Sequence, residues 1–508
     1  KVYKDVRLVF SPEFQIAFFG GDPDNFEFPR YNLDMCIFRL YENGKPAKTE
    51  DFFKWSTKGV TQGDLVFVSG HPGTTNRMFS TAALEFLRDV SFEYDIDRLL
   101  RRETVLSLYR QISDEHSRQA QSDFFSTQNT RKARLGMLKG LQEQSFLDKK
   151  GQAETLLRAQ IASSPEGETW SGAWERLKGA QKAHAKIFKQ RALLEMGHGF
   201  DSRLFQIARG LVRLAAEDQK PNSVRLPAYR DSGRASLLQA LLSPAPIYPE
   251  LEIALFSHSL SRFAAEFGYE HPLVKAVLNG RSAARAAEEI IHGTLVGQLP
   301  VRQFYIKNGK NEISRSRDPM IQLVLAVDKA ARAVEKKYQE TVAEVEKQAY
   351  AQVSKALFAE YGTSVYPDAT FTLRLAYGQV KGYSLFDGHY TDHVTTLGGA
   401  FAHETNHGGK FPWQLPESWK QAKAKMDLNI PFNFVSTADI IGGNSGSPVL
   451  NKEGELVGLI FDGNIESLTA NYMYDSKISR SVAVHSAGIW EAMKTVYQAN
   501  ELLNEIGK

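Results

Sequence analysis

Cysteine is almost missing from this chain: Cys36 stands alone among 508 residues. An intrachain disulfide is therefore impossible, and so is a zinc site built from several thiolates. Such scarcity fits the cytosol, and equally an exported bacterial protein that folds without disulfides. A surplus of one charge is also lacking. The net charge of +3 gives none of the strong basic excess of a dedicated nucleic-acid binder. No apolar run approaches the roughly 18 residues that a membrane span needs. The opening stretch KVYKDVRLVFSPEFQIAFFGG has no signal-peptide layout of charge, long apolar segment and small-residue cleavage site. It alternates like a strand already inside a fold, so the true N-terminus is expected upstream.

What is present is a chain 42% hydrophobic, enough for two or three domains with full cores. Its texture changes twice. Residues 1 to about 82 are strand-like: Phe14, Ile16 and Phe18 alternate, LDMCIFRL reads as a buried strand, and DLVFVSG runs into a turn at GHPG. From about 83 to 362 the pattern is helical. Its clearest helix opens at Asp318-Pro319, an N-cap followed by proline at the first helical position. Apolar residues then recur at Val334, Tyr338, Val342, Val345, Ala349, Val353 and Leu357, and Gly362 closes the run. The charged helices read as solvated faces. Strands return at 363–508, with Phe371, Leu373, Leu375 and Tyr377 alternating and ELVGLIFDGN leading into a turn. A helical segment at about 487–505 ends the chain. Two β segments split by a helical block suggest one β unit interrupted by an insertion.

Two short strings carry chemistry. The first is HETNH, with His403, Glu404 and His407 in the spelling of a zinc-protease helix. Gly398-Gly399 precede it and Gly408-Gly409 follow, leaving room for at most two turns. The extended motif wants glycine and histidine where Lys410 and Trp413 stand. Zinc chemistry is thus the minor alternative, and no metal or other cofactor is expected. The second string is GGNSGSP. A serine between Asn444 and Gly446 sits on a tight turn, and the N–H groups of Gly443 and Ser445 can converge on one spot. Two such donors form an oxyanion hole for a carbonyl under attack.

GNSGSP resembles the nucleophile motif of chymotrypsin-fold serine peptidases. The longer string FVSTADIIGGNSGSPVLNKEGELVGLIFDGNIESL is similar to one bacterial group, the serine dipeptidyl-peptidases of the dipeptidyl-peptidase 7 and 11 type. So are GGDPDNFEFPRYNLDMCIFRLYENGKPA at 20–47, NTRKARLGMLKGL at 129–141, and KISRSVAVHSAGIWEAMKTVY near the C-terminus. The resemblance runs the whole chain. It implies a chymotrypsin-like double β-barrel, the first barrel incomplete at 1–82, a helical insertion domain at 83–362, and a second barrel with a C-terminal helix at 363–508. It implies peptide substrates with a free N-terminus, a homodimer, and a periplasmic or cell-surface location.

By position, the resemblance makes Ser445 the nucleophile, Asp34 the triad carboxylate and the Gly443 N–H part of the oxyanion hole. Asn25, Asn129 and Asp462 take the amine-binding positions. Phe26 replaces the usual tryptophan, keeping an aromatic wall but no indole N–H. Tyr31 and Leu33 also depart from the usual histidine and glycine. Gly463 occupies the position where arginine goes with acidic P1 residues, so a bulky apolar or broad P1 preference is expected. Asp439, six residues before Ser445, is a rival cue for Lys or Arg at P1. The order His, Asp, Ser places the base before Asp34, yet the first histidine is His71, in a turn. The base is expected upstream of Lys1. The alternatives are an inactive peptide-binding homologue without a base, an endopeptidase, and the zinc enzyme.

Overall fold

The structure, a computed structural model, describes residues 2–385 and 388–507. The chain forms two compact units. One comprises Lys1–Phe79, Lys132–Ala153 and Phe358–Lys508; the other comprises Ser80–Arg131 and Glu154–Leu357.

The first unit carries the sheets. In chain order its strands are β1 (Asp5–Phe10), β2 (Ile37–Glu42), β3 (Lys45–Pro46), β4 (Leu65–Gly70), β5 (Arg374–Gln379), β6 (Tyr383–Ser384), β7 (Tyr390–Thr391), β8 (Val394–Thr396), β9 (Pro431–Ser436), β10 (Pro448–Leu450), β11 (Leu456–Gly463) and β12 (Ser481–His485). Strands β1, β2 and β3 make a small sheet, β6 and β7 a pair, and seven others an antiparallel sheet in the order β5-β4-β10-β11-β12-β9-β8. Thus β4, early in the chain, pairs with β5 from its last third, Val66 opposite Gly378 and Val68 opposite Ala376. Alternation in β4 turns Val66 and Val68 inward to a core with Val380, Phe434, Val449, Val457 and Ile460. The sheet also curls so that the edge strand β5 meets the end of β9: Thr437 N–H donates to Gln379 O at 2.9 Å, and Lys381 N–H to Val435 O at 3.3 Å. At Gly378 a Cβ would lie 2.3 Å from Ala438 N, so this closure needs glycine. A second core gathers Ile16, Phe19, Leu33, Phe401, Trp419, Phe432 and Ile489.

Three sequence expectations change. Phe14, Ile16 and Phe18 are not a strand; Phe14–Ala17 is a turn of helix, closed by Ile16 and Ala17 N–H on Glu13 O. Three alternating residues are too few to decide a period, and one buried Ile16 satisfies either geometry. The LDMCIFRL run pairs only from Ile37. The final helical segment breaks at 497–499, into Ser486–Glu491 with a wider turn to Val496 and then Asn500–Ile506.

The second unit is helical. The run opening at Asp318 forms as expected: the carboxylate accepts from Met320 and Ile321 N–H at 2.9 and 3.2 Å and caps Pro319–Tyr338. After a wide turn at Gln339–Ala343 the helix resumes at Glu344–Tyr361. Phe200, Phe205, Phe256, Phe263 and Val324 fill the centre of this unit.

Candidate active site

The GGNSGSP loop joins Ile441 to β10, and its shape follows from its small residues. Asn444 is buried and turns back on the chain, its N–H and side-chain amide both donating to Ile441 O, at 3.0 and 3.1 Å. Gly446 N–H donates to Ile460 O at 2.7 Å and Ile460 N–H to Ser447 O at 3.0 Å, stapling the loop to β11. Between these anchors Ser445 is exposed, its hydroxyl only at the limit of a bond to Phe461 O, 3.5 Å. Gly443 has φ +108°, and a Cβ there would sit 2.6 Å from His71 O and 2.7 Å from Gly73 N. Both obstacles are backbone, so only glycine fits. Among the described residues no acceptor takes the N–H of Gly443 or of Ser445, whereas Asn444 N–H between them is used. The loop that exposes this hydroxyl thus carries two unbonded N–H groups, that of Gly443 and that of the serine itself.

Strand β11 supplies the neighbouring wall. Its register against β12 shifts between Ile460 and Asp462, a bulge that re-aims the next side chains. The Asp462 carboxylate accepts Arg30 Nη1 at 2.7 Å, Phe26 N–H at 3.1 Å and Gly463 N–H at 2.8 Å. The side chains of Arg30 and Asp462 are 2% and 8% exposed, so this is a buried ion pair. Arg30 is held in turn by Asn32 Oδ1 at 3.2 Å, and its guanidinium lies 5.4 Å from the Phe461 ring centre. Phe26 adopts φ +58°, a strained conformation for an aromatic residue, with its N–H held by Asp462. Asn25 is buried beside it. Lys132 fastens this segment, donating to Asp22 O at 2.9 Å and Pro23 O at 2.7 Å and lying 3.3 Å from Glu27.

Asp34 is accessible by surface area, yet the protein crowding its carboxyl pushes the pKa up to about 6, with the negative Asp462 adding to burial and Arg30 opposing both. Among the described residues none donates a hydrogen bond to it, and no histidine bonds either Asp34 or Ser445. His71 contributes through its carbonyl, packed against Gly443. Gly463 is buried, and a Cβ there would meet Ser467 Oγ at 2.5 Å. Asn129 lies on the helix Asp114–Gln142, in the other unit.

Asp439 is not a free pocket base. Arg77 grips both its oxygens, Nη1 to Oδ2 at 2.6 Å and Nη2 to Oδ1 at 2.8 Å, and Tyr366 OH donates at 2.5 Å. A carboxylate so neutralised has little charge left to select Lys or Arg.

Four of the five HETNH residues are helical, and His407 is the C-cap. The helix Leu397–Asn406 runs through the glycine pair, with Thr396 as its cap. These glycines mark close packing: a Cβ on Gly399 would lie 2.5 Å from the Tyr31 ring, and one on Gly398 3.0 Å from Leu428 O. His403 Nε2 is bonded to Asp24 Oδ2 at 2.8 Å, and His407 Nδ1 donates to His403 O at 2.9 Å. Glu404 accepts Leu415 N–H at 2.9 Å and lies 3.1 Å from Lys420 Nζ. All three side chains are engaged with protein, and no cluster of three metal-ligating side chains occurs among the described residues.

Sequence reasoning missed Arg30, Lys132 and Arg77. The first two stand inside the strings quoted above, but nothing in a string says that a cation is buried against a carboxylate hundreds of residues away.

An exposed serine hydroxyl on a glycine-rich loop with two unbonded N–H groups, pinned to an antiparallel sheet, is a candidate nucleophile, and comparison with known proteins specifies the group. The peptidase S46 family model matches residues 1–508: the chain belongs to that family and is an enzyme of the peptidase class. It is 28% identical to the Asp/Glu-specific dipeptidyl-peptidase of Shewanella putrefaciens, covering 99% of this chain and 74% of that protein. It is 26% identical to dipeptidyl-peptidase 7 of Capnocytophaga gingivalis, covering 99% and 73%. Porphyromonas endodontalis DPP11 in complex with the dipeptide Arg-Glu shares its fold, with TM-score 0.77 and 23% identity over 99% of this chain and 74% of that one. Among the described residues no helix is long and apolar enough to cross a membrane.

Proposed function

We propose that this chain carries a serine dipeptidyl-peptidase site that releases dipeptides from free peptide N-termini. Ser445 Oγ attacks the carbonyl carbon of the second residue, the oxyanion takes the N–H groups of Gly443 and Ser445, the amine leaves, and water hydrolyses the acyl-enzyme. Asp34 orients the base and stabilises its cationic form. Asn25 receives the substrate ammonium against the wall of Phe26; parts for Asp462, whose carboxylate is already paired with Arg30, and for Asn129 rest on the family resemblance alone. The observation that carries this reading is the exposed Ser445 hydroxyl on a loop whose Gly443 and Ser445 N–H groups take no acceptor among the described residues. The described histidines supply no base to Ser445, so the test belongs on the full-length gene product. A serine-directed phosphonate should label it at Ser445 with a chelator present, and S445A should remove both label and activity. Free peptides should lose dipeptides while N-blocked peptides stay intact; internal cleavage of blocked peptides would sink the dipeptidyl assignment. Failure of the full-length protein to label would instead favour an inactive peptide-binding homologue.

The apolar or broad P1 preference read from Gly463 has no support in the comparisons, which include Asp/Glu-specific relatives. Rates on matched peptides with Leu, Phe, Asp or Glu at the second position decide it. We read the seven-stranded sheet as the second barrel of a chymotrypsin-like pair, favoured by the bonds between Thr437 and Gln379; β4, expected in the first barrel at 1–82, then belongs to the second, and β1 to β3 to the first. Periplasmic or surface location and a homodimer follow from the resemblance and are checked by fractionation and light scattering.

A further inference from the structure

Asp439 and Arg77 have a use outside specificity. The segment 439–443 leads directly into Ser445 and ends in a free oxyanion-hole donor, yet it is poorly held by its own backbone. Among the described residues, no acceptor takes any of its five successive N–H groups. On one side it borders a cavity of about 660 Å³ lined in part by Pro72, Leu375, Tyr377, Ile440, Ile441 and Tyr474, so packing on that side leaves it room to shift. Two backbone carbonyls fix its ends: Tyr474 OH donates to Thr437 O at 2.5 Å, and Gly73 N–H to Gly442 O at 2.8 Å. Between those points Ile441 O is bonded only locally, by the N–H and side-chain amide of Asn444, and the Asp439 side chain is the tie to a distant part of the chain, held by Arg77 and Tyr366.

Arg77 is itself held at several points. Its Nε donates to Ala470 O at 2.9 Å, its N–H to Asp368 Oδ1 at 2.8 Å, and its carbonyl accepts Lys150 Nζ at 2.6 Å. Asp368 also takes Thr75 Oγ1 at 2.5 Å and Met78 N–H at 3.2 Å. A bidentate guanidinium–carboxylate pair fixes distance and plane together. We infer that Arg77 is a positioning residue for catalysis: through Asp439 it sets the backbone that aims the Gly443 N–H at the reacting carbonyl. The inference rests on the serine-peptidase reading above.

The pair acts on an interaction strongest in the transition state, so its loss should lower kcat and leave KM nearly unchanged. In the full-length protein R77A should lower kcat about a hundredfold, the loss that follows when a donor is misplaced by roughly 1 Å. The rate of phosphonate labelling at Ser445 should fall in parallel. R77K, which keeps the charge but not the fork, should recover about tenfold of that loss. The double variant R77A/D439A should be no worse than R77A, since the two side chains act as one unit. Folded R77A with kcat within about threefold of the parent, or with its loss wholly in KM, overturns the inference. If R77A does not fold, D439N, which keeps shape and loses charge, is judged by the same split. Activity persisting in S445A would overturn the serine reading itself, whereas an inactive S445A beside an unimpaired R77A overturns only the positioning role.

Discussion

Arg30→Met tests whether the buried Arg30–Asp462 pair organises the substrate-facing wall. Methionine keeps the length and the apolar cover over Phe461 and removes the cation. The guanidinium attracts the carboxylate by about 4 kcal/mol at a separation near 4 Å and an effective dielectric of about 20. Removing one partner of a buried pair typically costs about 3–5 kcal/mol, because the other charge is left without compensation. Asp462 keeps two donors in R30M, the N–H groups of Phe26 and Gly463, which places the expected loss at the lower end, about 3 kcal/mol. In R30M/D462N no charge is stranded, and the loss should shrink to about 1 kcal/mol, the scale of one exchanged hydrogen bond. Urea unfolding followed by tryptophan fluorescence measures both, since Trp55, Trp413, Trp419 and Trp490 lie in the sheet-bearing unit. At a slope of about 2–3 kcal/mol/M the single variant should move the midpoint down by about 1 M or more. A single variant that loses under about 1 kcal/mol, or a double variant as damaged as the single, would refute the reasoning.

Three further outcomes are expected. Asp34 has a folded pKa of about 6, above that of an unfolded aspartate; the native state keeps its proton to higher pH, so stability from this group declines as pH rises from about 4 to 6, and D34N should abolish that decline in urea melts across this range. Gly443→Ala meets backbone at 2.6 and 2.7 Å in a left-handed conformation, so it should cost about 2 kcal/mol or more and slow Ser445 labelling; Gly442→Ala, which faces open space, should do neither. His403→Ala loses the bond to Asp24 and should cost about 1–2 kcal/mol, while a chelator should leave the parent's unfolding midpoint unmoved; a chelator-induced drop would restore the zinc reading.

The candidate site was legible where function demands small residues in fixed order. Gly443, Ser445 and Gly446 are strong turn signals in any chain, and here the turn forms with the Ser445 hydroxyl exposed. The helix at Asp318-Pro319 was legible for a similar reason, since its cap and its first residue are neighbours in sequence. Long-range pairing was not. Asp439 read alone is a pocket base; beside Arg77 it is half of a clamp. Asp462 read by position is an ammonium receptor; beside Arg30 it is a buried counter-ion. The glycines around HETNH misled because glycine serves two ends, breaking helices and letting helices approach one another. Only Tyr31 and Leu428, contributed from elsewhere in the chain, decide between them.

The pairing of β4 with β5 sets a timetable. From Gly70 to Arg374 the chain runs 304 residues (374 minus 70). At roughly 5–20 residues per second of synthesis, β4 waits on the order of 15–60 s for its partner. Its other neighbour, β10, is made later still. Throughout that interval Val66 and Val68 have no sheet to enter, while the local contacts of the helical block can already form. The unit that holds Ser445 is thus the last to be completed. Its apolar strand is a natural client for a holding chaperone, and a ribosome-stalled chain ending before β5 should be far more prone to aggregate than one ending after β12.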